Sequence, residues 1–225
     1  MIIDIHGHYT TAPTALETWR NRQIEGIRNP AQMPRASELS ISDDELRESI
    51  ESNQLRLMRE RGLDLTIFSP RASFMAHHIG DFQVSSTWAA ICNELCHRVS
   101  RLFPNHFIPA AMLPQSPGVE PATCIPELVK CVEEYGNVAI NLNPDPSGGH
   151  WSSPPLSDRY WYPIYEKMVR SLPRSCIFLS WLLSMLSRSS SSLILSSDAR
   201  GIADGSLMPA IWRLRQSSSA FGAVV

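Results

Sequence analysis

Short β-branched runs alternate with longer amphipathic runs through residues 1–169, and that alternation constrains the fold more than any other feature of the chain. Two consecutive strands joined through a helix share a sheet as a parallel pair, with the helix crossing one face. Repetition of the unit therefore implies a parallel sheet covered by helices. The spacing predicts strands over 1–8, 64–69, 106–113 and 137–143, and helices over 13–22, 43–61, 85–103, 126–135 and 157–169. Punctuation marks several of these boundaries. Ser42-Asp43-Asp44-Glu45 reads as a capping box, Gly62 and Gly136 as helix stops, and Pro70, Pro114 and Pro144 as strand stops. Trp88, Ile91, Cys92, Leu95, Cys96, Val99, Leu102 and Phe103 recur at i, i+3/i+4, the apolar stripe of a helix laid on a sheet. Cys92 and Cys96 belong to that packing rather than to metal or redox chemistry.

A doubly wound sheet and a (β/α)8 barrel both satisfy this layout. No G-x-G-x-x-G or G-x-x-x-x-G-K-[ST] follows a strand, which removes the main support for a nucleotide-binding sheet. A barrel fits eight units into about 250 residues. Here about four βα units consume 169 residues, so the expected fold is the N-terminal half of a (β/α)8 TIM-type barrel. The character changes at residue 170. Residues 171–225 hold fifteen serines and no Lys, Glu, His, Asn, Thr or Tyr. Three readings of 170–225 are a serine-rich linker, a buried helix over 177–187, and a divergent, out-of-frame tail. Leu179, Trp181, Leu182, Leu183, Met185 and Leu186 are too apolar for a solvated linker, and the composition fits the third reading best. The expected division is a barrel half over 1–169 and an irregular tail over 170–225.

Charge and cysteine usage narrow the partners. Lys+Arg total 20 against 22 Asp+Glu, a net charge of −2, so no basic field exists to hold nucleic acid or an anionic membrane surface. The opening residues, apolar but broken by Asp4 and His6, make neither a signal peptide nor a membrane span. Five cysteines without a C-x-x-C pair fit a reducing compartment, and a cytoplasmic protein is expected.

Side chains alternate along a strand, so His6 and His8 share a face. At the C-terminal end of a first barrel strand, that face opens into the mouth where barrel active sites sit. Two neutral imidazoles there suit one Zn2+-type ion, with Gly7 leaving the backbone free to approach. Zinc takes three or four protein ligands, so the pair is part of a site. Other candidates follow the later strands. Arg71 is placed to clamp a substrate carboxylate, with Ser69 and Ser73 beside it as hydrogen-bond donors, against the alternative of a surface or structural arginine. His77 and His78 are the acid–base candidates, against the alternative of a structural loop pair. Asn141 and Asn143 alternate onto one face, where they orient a polyanionic substrate or satisfy loop backbone; His150 is in reach of the mouth.

The opening Ile-Ile-Asp-Ile-His-Gly-His-Tyr and the Ser-Asp-Asp-Glu-Leu cap begin a longer likeness. With them belong the blocks DLTIFSPRASFMAHHIG at 64–80, IPAAMLPQSPG at 108–118 and AINLNPDPSGGHW at 139–151. Together they resemble the amidohydrolase-related metalloenzymes, and within that family the hydratases of oxalomesaconate-type tricarboxylates in protocatechuate and gallate breakdown. The resemblance covers 1–169 and implies a lyase that reversibly adds water across a double bond. It implies a small polycarboxylate substrate neutralised by arginines, and a homo-oligomer for the full-length member. It also implies Zn2+ held by the first-strand H-x-H, which falls on His6 and His8, by a histidine of the fifth strand and by an acidic residue of a late strand. This chain has no histidine after His150 and no glutamate after Glu166, so those ligands carry over to no residue and impaired activity is expected. The alternatives are a nonoxidative decarboxylase of the same family and a non-catalytic, truncated remnant.

Overall fold

The computed structural model describes residues 1–171 and two short strands at 176–179 and 193–195, and one sheet runs through them in chain order. Its strands are β1 (Ile3–Tyr9), β2 (Leu65–Pro70), β3 (Phe107–Met112), β4 (Ala139–Leu142), β5 (Cys176–Leu179) and β6 (Leu193–Leu195). The joins from β1 to β5 are parallel, and β6 pairs antiparallel with β5. Parallel neighbours in sequential order, each reached through a crossover helix, are the successive units of a barrel wall. β1 to β4 form the curled half-barrel that the alternation implies.

The helices are α1 (Thr14–Arg28), α2 (Asp43–Ser49), α3 (Arg56–Arg61), α4 (Phe82–Leu102), α5 (Ile125–Glu133) and α6 (Tyr162–Ser171). Several depart from the sequence expectation for identifiable reasons. α1 continues past residue 22, but its second half buries Gln23 and Gly26, so hydrophobic periodicity fades before the helix does. The capping box at Ser42 forms in both directions: Glu45 N–H donates to Ser42 Oγ at 3.2 Å, and Ser42 N–H donates to Glu45 Oε2 at 2.8 Å. The expected single helix over 43–61 is α2 and α3 joined by a π turn, Ile50–Leu55. α4 opens at Phe82, ahead of Ser85, because Asp81 is its cap and accepts from Val84 N–H at 2.9 Å.

Two apolar clusters fill the layer between helices and sheet. One gathers Trp19, Trp88, Leu95, Val99, Phe68 and Phe107 under α1–α4. The other gathers Leu128, Ile140, Leu142, Trp161, Ile164 and Met168 under α5 and α6. Cys92 and Cys96 lie inside the first, and burial pushes both thiols up, as expected of core cysteines. A third, small cluster of Ala110 and Ala139 with Ile5, Ile67 and Val138 lines the opposite face, the barrel interior. Among the described residues no helix is long and apolar enough to cross a membrane. The helix reading of 177–187 meets β5 at its first residues; the rest of it, and the reading of the tail as out of frame, lie outside the described residues.

Candidate metal centre at the end of the first strands

β1 is not a regular strand. Asp4 pairs with Thr66 and Gly7 with Phe68, so Ile5 and His6 together stand opposite Ile67 in a β-bulge. A bulge takes a backbone group off the ladder, and Asp4 compensates: its Oδ1 accepts His6 N–H at 3.0 Å. Beyond the bulge the His6 and His8 rings meet edge to face, with centroids 4.8 Å apart and planes at 62°. Gly7 between them serves the sheet rather than the site. A Cβ there would overlap the Thr66 methyl and come within 3.2 Å of the Ile67 carbonyl.

The His8 ring is oriented by β2. Its Nδ1 lies 2.9 Å from the Pro70 carbonyl and 2.9 Å from Ser69 Oγ. A carbonyl only accepts, so Nδ1 carries the proton and the Nε2 lone pair is left for another partner. Ser69 Oγ donates in turn to the Gly7 carbonyl at 3.0 Å and accepts from Asn141 Nδ2 at 3.2 Å. The Asn141 Oδ1 is buried and finds no hydrogen-bond partner among the described residues. Burial lowers the pKa of both histidines, partly offset at His6 by Asp4 and at His8 by the Pro70 hydrogen bond. Neutral rings with one nitrogen fixed by a carbonyl are the form in which imidazoles ligate metals. The donor set therefore fits a borderline divalent ion, but only in part. Among the described residues no group of three His, Cys, Asp or Glu side chains that could hold a metal comes together.

The remaining candidates divide between the rim and the layer behind it. Asn143 ties three loops together. Its N–H donates to Gln115 Oε1 at 2.7 Å, its carbonyl accepts from Gln115 Nε2 at 3.1 Å, and its Nδ2 donates to the Met75 carbonyl at 2.9 Å. Its side-chain amide thus bonds loop backbone on both sides, Nδ2 to the Met75 carbonyl and Oδ1 from Asp145 N–H at 2.9 Å. His77 is buried behind the rim, with Nδ1 2.9 Å from Ser85 Oγ of α4. Burial, with smaller contributions from Arg20 and His78, pulls its pKa down to about 3, so the ring is neutral. His78 is exposed and packs on Gly148, where a Cβ would come within 2.5 Å of the ring Nδ1. Arg71 and Ser73 are exposed at the end of β2, the guanidinium 5.7 Å above the Phe74 ring. His150 is exposed on the loop after β4. The structure thus connects His6, His8, Ser69 and Asn141 directly, and spreads Arg71, His78 and His150 over the loops.

Sequence reasoning passes over three residues that shape this region. Asp145 accepts from the N–H groups of Ser147, Gly149 and Trp151 and from the Ser147 hydroxyl, holding the loop that carries His150. The Asp-Pro-Ser-Gly-Gly run carries the signal for such an Asx turn. Gln115 and Gln54 carry no local signal, because their partners lie far away in the chain.

Known proteins resemble this chain over the same residues. A family model described as Amidohydrolase matches residues 3–171. The 2-keto-4-carboxy-3-hexenedioate hydratase of Sphingobium sp. is 56% identical over 169 residues, 75% of this chain and 49% of the relative. The crystal structure of 4-oxalomesaconate hydratase, LigJ, from Rhodopseudomonas palustris superposes with TM-score 0.71 at 76% identity, over 76% of this chain and 50% of that one. A 5-carboxyvanillate decarboxylase from Novosphingobium aromaticivorans, solved with bound manganese, shares the fold at TM-score 0.53 and 16% identity, over 80% of this chain and 50% of that one. The chain spans about half the length of each of these relatives.

Proposed function

The chain belongs to the amidohydrolase family, and from that premise we propose that its site is that of a hydratase acting on an oxalomesaconate-type tricarboxylate. The reaction is a hydro-lyase step: water adds across a carbon–carbon double bond of a small, highly charged substrate. The observation that carries the reading is the His6/His8 pair, with His8 Nδ1 committed to the Pro70 carbonyl, in a chain this similar to two hydratases. His6 and His8 would hold the divalent ion, Zn2+ by the preference of imidazole ligands. Bound there, such an ion supplies Lewis acidity toward a substrate oxygen or lowers the pKa of water.

The chain's own residues then have distinct tasks. The Pro70 carbonyl keeps the His8 ring in its Nδ1–H tautomer, and Ser69, itself held by Asn141, steadies the ring beside it. Arg71, exposed at the end of β2, meets a substrate carboxylate. Of the two proton-transfer candidates His78 is the exposed one, whereas His77 contributes by holding the rim to α4; His150, exposed after β4, meets substrate. Asn143 acts on substrate only through the loops it ties. The same reading makes the protein cytoplasmic and, with the rest of a barrel present, homo-oligomeric.

A non-catalytic remnant is the second reading, favoured by the absence of a third metal-ligating side chain among the described residues. Zinc content by mass spectrometry, measured with loss of oxalomesaconate absorbance, separates the two. The hydratase reading expects zinc in the purified chain, its loss in His8→Ala, and water uptake by the zinc-loaded protein. A chain with neither zinc nor turnover is the remnant, as is one that holds zinc and does not turn over; release of CO2 instead of water uptake assigns it to the decarboxylases.

A further inference from the structure

β1 and β2 are bridged by helical backbone with one wide turn in it. A π turn closes i→i+5 hydrogen bonds and so accommodates one extra residue, which swings the side chains around it by about 100° relative to an unbroken helix. Ile50–Leu55 is that turn, and the polar groups at its two ends converge on the C-terminal end of β1. Ser49 Oγ lies 2.6 Å from the Tyr9 hydroxyl, and the Ser49 carbonyl accepts from Thr11 Oγ1 at 2.9 Å. Gln54 Nε2 donates to the His8 carbonyl at 2.5 Å, while its Oε1 lies 3.1 Å from Thr11 Oγ1. The other side chains of the turn bond within their own segment: Ser52 to the Glu48 carbonyl, Asn53 to the Ser49 carbonyl.

We propose that Gln54, aimed by the π turn, is a positioning residue for His8 as a ligand. β2 grips the imidazole through Ser69 and Pro70, and Gln54 grips the main chain of the same residue from the opposite side. Gln54 thereby sets where the ring meets its partners on β2, so ring and backbone are fixed together, which a ligand needs when bond lengths must hold within about 0.2 Å. The His8 carbonyl only accepts, which keeps Nε2 of Gln54 facing it, and Thr11, its one proton shared between the Ser49 carbonyl and Gln54 Oε1, holds the amide in place. The role rests on the reading of His8 as a metal ligand, so its test needs one measurement with metal and one without.

The variant is Gln54→Met, which keeps the length of the side chain and removes the donor; Thr11→Val, which removes the hydroxyl shared by Gln54 Oε1 and the Ser49 carbonyl, carries the same test if the first fails to fold. Ser52→Ala is the control on the outer side of the turn. In the metal-free 225-residue protein, long-range 15N–1H spectra of the imidazoles report the His8 tautomer, and Co2+ titration followed by visible absorption reports affinity and ligand geometry. The expectation is a single Nδ1–H tautomer in wild type, mixed tautomers in Gln54→Met, and about tenfold to a hundredfold weaker Co2+ binding with an altered spectrum. Ser52→Ala matches wild type on both. Unchanged tautomer and unchanged Co2+ affinity in Gln54→Met overturn the positioning role, as does a mixed tautomer with wild-type affinity. A wild-type chain that takes up no Co2+, with the tautomer still released by Gln54→Met, retains the grip on His8 and overturns the metal reading instead.

Discussion

Asn93, in the middle of α4, takes the place of a strand partner. It is fully buried; its Oδ1 accepts Met112 N–H at 2.8 Å and its Nδ2 donates to the Met112 carbonyl at 2.9 Å and to Glu127 at 2.7 Å. One side chain thus pins the end of β3 to α4 and to α5. Asn93→Ala leaves a buried N–H and carbonyl unsatisfied and is expected to cost about 2–3 kcal/mol in urea unfolding, with an unchanged m-value. Residues like this are the least legible in a sequence. Periodicity marks Trp88, Leu95 and Val99 as core because apolar character repeats, whereas Asn93 looks like a solvent position on the same helix. His6 and His8 are legible for the opposite reason: their chemistry is local, two imidazoles two residues apart. The grip on His8 by Pro70 and Gln54 spans 62 and 46 residues, and no window along the chain contains it.

The loop after β4 is held by one carboxylate. Burial alone would raise the pKa of Asp145, but hydrogen bonds from Ser147, Gly149 and Trp151 outweigh it and hold the carboxyl below its ordinary range. A depressed carboxylate contributes stability that is complete above its unfolded pKa, about 3.9, and is lost as pH falls through the lower folded value. Asp145→Asn is therefore expected to destabilise the protein at pH 7, with the gap to wild type closing as the pH falls below about 4. Amide protection factors over 147–151, which correct for the intrinsic slowing of exchange in acid, should fall in the same window in wild type. A gap independent of pH would remove the charge from the explanation. Other elements show where sequence patterns stop working. The four strands, the Ser42 cap and the Gly62 stop follow from residue type, while the π turn between α2 and α3 has no compositional mark. The contacts made at its two ends reach to the end of β1, some forty residues away.

The apolar layer of the molecule divides between α1–α4 and α5–α6, and β3 contributes to both clusters, Phe107 and Met112 to the first and Ala111 to the second. Such a division predicts two units of opening rather than one. Leu128→Ala, at a fully buried position of the second cluster, is expected to cost about 2–5 kcal/mol there. Hydrogen exchange should quicken through α5, α6 and β4 and leave β1, β2 and α1 close to wild type; uniform quickening would mean a single cooperative unit. The rim carries a different kind of unity. Because Asn143 is answered by Gln115 and by the Met75 carbonyl, the loops after β2, β3 and β4 are one heritable unit. A recombination event that imported any one of them from a distant relative would strand the partners left behind. New substrate preferences on this scaffold should therefore arise by exchanging the three loops as a block, or by changing residues such as His150 that stand clear of the stitching.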